Sequence, residues 1–148
     1  TLLSSNYAKN MDSTWAEQRR QNARLQADRL REREAAESAQ AAEYLTRFIS
    51  AARRTGLDPE PLVVRAGDGK QAKTPYRGWY LKADKSVAVD EDGNFYILTA
   101  PLTLSQRLRG VKPEPAPPTL ILGKGGRDGE QIDLTEALSM RIPAWAEG

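Results

Sequence analysis

Hydrophobic and polar positions divide the chain into two dissimilar parts. From about Asn10 to Arg54 there is neither glycine nor proline, and Ala, Glu, Gln, Arg and Leu, the strongest helix formers, dominate. The run predicts one long helix of about 45 residues, roughly 65 Å at a rise of 1.5 Å per residue. Asp12 or Ser13 is suited to cap its start. Thr55-Gly56 with Pro59 closes it, because glycine takes the left-handed conformation on which helices end. Arg53 and Arg54 fall in the last turn, where cations meet the negative end of the helix dipole.

Apolar residues are unevenly spread along this helix. Tyr44, Leu45, Phe48, Ile49 and Ala52 make a stripe on the last three turns, which predicts that this end docks on a folded domain. Between Glu17 and Glu43 the only large aliphatic residues are Leu25 and Leu30, and no heptad of a and d positions is sustained. A long two-stranded coiled coil is therefore not expected. Arg24 with Asp28, Arg33 with Glu37, Asp28 with Arg31 and Arg31 with Glu34 stand at helical pairing distances and can support a solvated helix. Small alanines at 35, 36, 39, 41 and 42 leave room for close approach. Leu25, Leu30, Ala35, Ala39 and Ala42 are accordingly the candidate contacts for a protein partner or for self-association.

Past Gly56 the period shortens toward two and Gly, Pro, Val, Tyr and Trp rise. Short strands are expected at 62–64, 78–82, 86–90 and 94–99, with 66–75 a polar loop and 90–94 a tight reversal between the last two strands. Thr103 or Ser105 should cap a short helix that Gly110 ends. A stiff proline-rich connector, 112–118, leads to a strand at 119–122, a glycine-rich loop at 123–129 and a brief return strand near 131–133. Asp133 to Glu136 reads as the capping box of a final helix ending before Pro143.

Composition narrows the chemistry. The chain has no Cys and no His, which removes disulfides, thiolate and imidazole metal sites, and the Ser-His and Cys-His nucleophile pairs. Carboxylate, Lys, Tyr and Ser chemistry remains, but each Asp or Glu falls in a turn, a cap or a helix face that accounts for it, so no catalytic residue is expected. No run approaches the roughly 18 apolar residues of a membrane span, and Thr1 to Asn10 does not read as a secretion signal. A cytoplasmic protein is the expectation. The net charge of +2 is too small to demand a polyanionic partner.

Three segments resemble sites. The loop at 123–129 follows an apolar strand, but Glu130, Gln131 and Ile132 separate it from the next helix, so it reads as a hairpin or flexible loop before an anion cradle. Asp90, Asp92 and Asn94 alternate like the first ligands of a calcium loop, yet the downstream bidentate Glu is missing and a hairpin turn fits better. Between Arg65 and Lys85 there are six basic and two acidic residues, with Tyr76, Trp79 and Tyr80 interleaved. Arg65, Lys70, Lys73, Arg77, Trp79 and Lys82 would be the residues of a nucleic-acid site, phosphates on the cations and bases on the rings. Alternate aromatics facing a core are the simpler reading.

Together these features predict an α+β chain: a long charged N-terminal helix, 1–56, followed by a small, mostly antiparallel β domain with two short helices, 57–148. The expected function is a non-enzymatic binding, adaptor or structural component that uses its helix for assembly or partner docking, without a cofactor or metal. A nucleic-acid-associated protein using segment 65–85 is the alternative.

Overall fold

The computed structural model describes residues 13–123 and 131–147, together with the helical backbone of residues 2–12. Helix α1 (Leu2–Thr55) leads into strands β1 (Glu60–Arg65), β2 (Gln71–Tyr80), β3 (Val87–Asp90) and β4 (Phe95–Ile97). Helix α2 (Leu104–Arg109), strands β5 (Ile121–Leu122) and β6 (Ile132–Asp133) and helix α3 (Leu134–Arg141) follow. The fold is α+β. Strands β1 to β4 form one antiparallel sheet in sequence order, and β5 pairs antiparallel with β6. The chain divides into two compact units, one up to Ala36 and the other from Glu37 onward, so the boundary falls inside α1.

In the second unit the apolar stripe of α1 is core. Leu45, Phe48, Ala51 and Ala52 are buried, with Trp79, Leu81, Val87, Val89 and Phe95 from one face of the sheet. Leu134, Ala137 and Leu138 of α3 complete this layer, and Trp145 meets Tyr44 edge to face at 5.5 Å. Because side chains alternate along a strand, Tyr80, Ala88 and Tyr96 point to the other face. There they join Leu62, Val64 and Leu98 in a second cluster, closed by Tyr76, Leu102 and Val111. The amide of Arg65 donates to Leu98 O at 2.8 Å and the amide of Ala100 to Arg65 O at 3.1 Å, so the end of β1 and the chain just past β4 lie side by side. Both faces of the sheet are thus covered, which is why β3 is buried at every position.

Strand β2 is longer than the sequence suggests. Residues 71–75, expected in a loop, pair with the second half of β1, and the register shifts between Pro61 and Val63. Side chains supply bonds the irregular ladder lacks: the Thr74 hydroxyl donates to Leu62 O at 2.7 Å, and the amide of Val63 donates to Tyr80 Oη at 2.9 Å. At Gly78 a Cβ would lie 2.6 Å from Asp90 Cα and would also strike the carbonyl of Val89, so only glycine lets β2 and β3 approach. The proline-rich connector covers the edge of β4, the amide of Ala116 donating to Phe95 O at 2.8 Å.

The caps follow the sequence in α2 and depart from it in α3 and at the start of α1, whose helical backbone runs through Asp12 and Ser13 instead of beginning there. Thr103 and Gln106 form a reciprocal capping box on α2, and Gly110 ends it at φ 93°. On α3 the expected box does not form, since Asp133 makes no side-chain cap bond. Asp133 is instead held in the β5–β6 ladder opposite Ile121, and the amide of Leu134 donates to Leu120 O at 2.8 Å.

Candidate functional site

The most exposed part of the described chain is α1 between Ser13 and Ala36. Every side chain there except Ala16 is exposed, including Trp15 (62%), Leu25 (53%) and Leu30 (52%). At about 100° per residue, Leu25 and Leu30 stand some 140° apart and do not share a face. Leu30 lines up with Ala16, Ala23 and Ala27, whereas Leu25 lies nearer Ala35 and Ala36. Trp15 escaped the sequence reading. Its signal was a large aromatic whose neighbours one turn on, Gln18 and Arg19, give it nothing apolar to pack against.

One of the expected ion pairs forms and another is replaced. Asp28 and Arg31 are joined by a hydrogen-bonded pair. Glu37, expected to meet Arg33, instead accepts from the amide of Leu120 at 3.0 Å, and Ser38 beside it donates to Pro118 O at 2.9 Å. Among the alanines, Ala39 and Ala42 are exposed, while Ala41 is fully buried in the core and offers nothing to a partner.

The pleat separates Lys73 and Arg77 from Tyr76 and Tyr80, and burial separates them from Trp79 on their own face. Lys73 and Arg77 are exposed on β2, and Arg77 donates to Pro59 O at 3.0 Å. Lys70 lies in the exposed turn before β2. Lys82 lies 3.5 Å from the Asp84 carboxylate, and Lys85 is 5.4 Å from the Tyr80 ring. The indole of Trp79 is 1% exposed, meets Phe48 edge to face at 6.3 Å and donates to Leu57 O at 2.9 Å. A ring so placed has no face left for a base, so Trp79 is a core residue. Arg65 borders an open cleft of about 650 Å³ between residues 65–68 and 99–102. Its Nε is buried and has no hydrogen-bond partner among the described residues.

The β3–β4 turn uses its polar groups internally. The carboxylate of Asp90 accepts from the amides of Asp92 (2.9 Å) and Asn94 (2.8 Å), from Asn94 Nδ2 (3.1 Å) and from Tyr96 Oη (3.0 Å). Burial pushes the Tyr96 phenol well above its usual value, and the neighbouring Asp90 carboxylate and Tyr76 hydroxyl push it the same way. These bonds occupy Asp90 as the anchor of a hairpin. Among the described residues no three of His, Cys, Asp and Glu gather as a metal site. No helix among them is long and apolar enough to cross a membrane. The glycine-rich segment from Lys124 to Gly129 lies outside the described residues.

An α+β domain joined to a solvated helix is the class that fold and surface define. No known protein family matches the chain, and no curated protein and no solved structure is similar to it.

Proposed function

We propose that the chain is a non-enzymatic binding or scaffolding component that engages a protein partner, or a second copy of itself, through α1. The observation that carries this reading is the exposure of every residue but Ala16 from Ser13 to Ala36, with Trp15, Leu25 and Leu30 among the exposed. A charged helix of this length can persist in water, with ion pairs adding tenths of a kcal/mol each, so it is the apolar residues and not the length that call for a partner. Large apolar side chains kept on such a helix are most simply accounted for by a surface that covers them. Because Leu25 and Leu30 face different ways, one flat partner helix covers one of them, and covering both takes two contacts. A cytoplasmic setting is part of this reading, the chain having no cysteine for an oxidising compartment to pair.

Light scattering of the intact chain and a pull-down from its host test the proposal together. Exchanging Leu25 or Leu30 for Glu should weaken the association by desolvation and lost packing while leaving the sheet intact. The triple change Ala35→Glu, Ala39→Glu, Ala42→Glu tests the small-residue positions in the same way. A strict monomer that captures the same partners with and without residues 10–38 would overturn the reading.

A further inference from the structure

Helix α2 turns its apolar side outward. At about 100° per residue, Leu104 and Leu108 share one side of α2 and Gln106 lies opposite. Leu104 is 63% and Leu108 78% exposed, whereas Gln106 is half-buried and spends its side chain on the capping box. No residue of α2 is buried. Helices that pack on a domain show the reverse order, apolar inward and polar outward. The two leucines therefore contribute little to the fold that presents them.

Charge around this helix is one-sided. Residues 99–113 hold Arg107, Arg109 and Lys112 and no Asp or Glu, in a chain whose net charge is only +2. Among the described residues none of these three cations forms a salt bridge with a carboxylate. Lys73, exposed on β2, borders the same end of α2, since its carbonyl accepts from the amide of Val111 at 2.8 Å. The end of the helix is held close to β2: a Cβ on Gly110 would come 2.9 Å from Lys73 O. A rigid knob of two leucines is thus ringed by unneutralised cations.

We propose that α2 is an interfacial anchor that seats this face of the domain on an anionic lipid surface. Leu104 and Leu108 enter the boundary of the acyl chains, and Arg107, Arg109 and Lys112 reach the phosphates and carboxylates of the headgroups. Apolar insertion combined with flanking Lys and Arg is how helices bind in the plane of a membrane. A protein groove is the poorer match. Helix-in-groove docking reads anchors at i, i+3, i+4 and i+7, and α2, with six residues, offers only the pair i, i+4. A bilayer requires no complementary pocket and accepts a convex knob. The surface lies wholly in the unit that begins at Glu37 and is independent of any contact made by the exposed stretch of α1.

Flotation of the intact chain with vesicles tests the proposal, using phosphatidylcholine alone and phosphatidylcholine with about one third phosphatidylserine. The chain should float with the anionic vesicles at low salt, detach as salt rises, and ignore the neutral ones. Leu104→Ser with Leu108→Ser should weaken binding roughly tenfold with the circular dichroism unchanged. Arg107→Gln, Arg109→Gln and Lys112→Gln together should weaken it similarly and flatten its salt dependence. Equal flotation of the wild type and the double-leucine variant would overturn the proposal, because the arginines elsewhere would then be responsible. No flotation at low salt overturns it as well. So does capture by α2 of an acidic amphipathic peptide when the same protein leaves anionic vesicles unbound, which would assign the surface to a protein.

Discussion

The hydroxyl of Tyr96 donates to the carboxylate of Asp90 at 3.0 Å, and both side chains are buried at the end of the β3–β4 hairpin. One carboxylate thereby ties the turn, through three bonds from Asp92 and Asn94, to the inner cluster where Tyr96 stacks on Tyr76 at 4.7 Å. Tyr96→Phe keeps the ring and removes the donor. Hydrogen bonds to a charged group contribute about 1.5–3 kcal/mol, and since three donors remain on Asp90 the loss should fall near the lower end, about 1.5 kcal/mol. Urea melts at neutral pH measure it. An unchanged midpoint would show that water replaces the phenol.

Burial of the phenol, together with the same bond, sets a pH dependence. The folded state holds the Tyr96 proton more tightly than the unfolded chain, whose phenol titrates near 10. The stability contributed by this group is therefore fully present below pH 10 and declines as pH rises beyond it, because there the unfolded state binds fewer protons. Tyr96→Phe should flatten the alkaline decline relative to wild type. Unfolding free energies at pH 8 and at about pH 11 for both proteins check the sign. A steeper decline in the variant would contradict it.

Phe48 ties α1 to the sheet through its edge-to-face contact with the buried Trp79. Phe48→Ala leaves a cavity between a helix and a strand that are both fixed by other contacts, so little collapse is available. The cost should reach about 3–5 kcal/mol in urea melts. A loss under about 0.5 kcal/mol would show that this face of the helix is not core.

What could be read in the sequence was whatever a local period or a single turn residue decides. The docked stripe from Tyr44 to Ala52, the reversal at 90–94 and the cap at Thr103 each depend on side chains a few residues apart, and each is present. The first half of β2 was hidden because its inward residues, Ala72 and Thr74, are small or polar, and because Pro75 argues against a strand. What makes it a strand is distant: pairing with β1 and the bond from Thr74 to Leu62. The failed cap at Asp133 has the same origin, since a strand partner, Ile121, takes the residue that local chemistry assigned to the helix. Surface properties were least legible. The cap and the closing glycine marked a short helix at 103–110, but only the packed domain shows that its side with Leu104 and Leu108 faces water.

The boundary inside α1 gives a sharp expectation for where the folded unit can be cut. Before Glu37 the described helix buries no side chain, so its removal deletes almost no core. At Glu37 and Ser38 this changes. The Glu37 carboxylate accepts from Leu120 N, and the Ser38 hydroxyl donates to Pro118 O, clasping the segment that leads into β5. A fragment of residues 37–148 should melt cooperatively with nearly the stability of the parent unit. A fragment of residues 39–148 loses both bonds and about half a turn of helix ahead of the buried Ala41, and leaves the Leu120 amide without its charged acceptor. One hydrogen bond to a charged group and one neutral bond amount to about 2–4 kcal/mol, which should appear as a lower urea midpoint with an unchanged slope. Hydrogen exchange at Leu120 reports the same event locally, slow in the longer fragment and fast in the shorter. Equal midpoints for the two fragments would mean that the clasp contributes nothing and that the folded unit starts at Ala41. An unfolded 37–148 fragment would show that the exposed helix before it is required for folding.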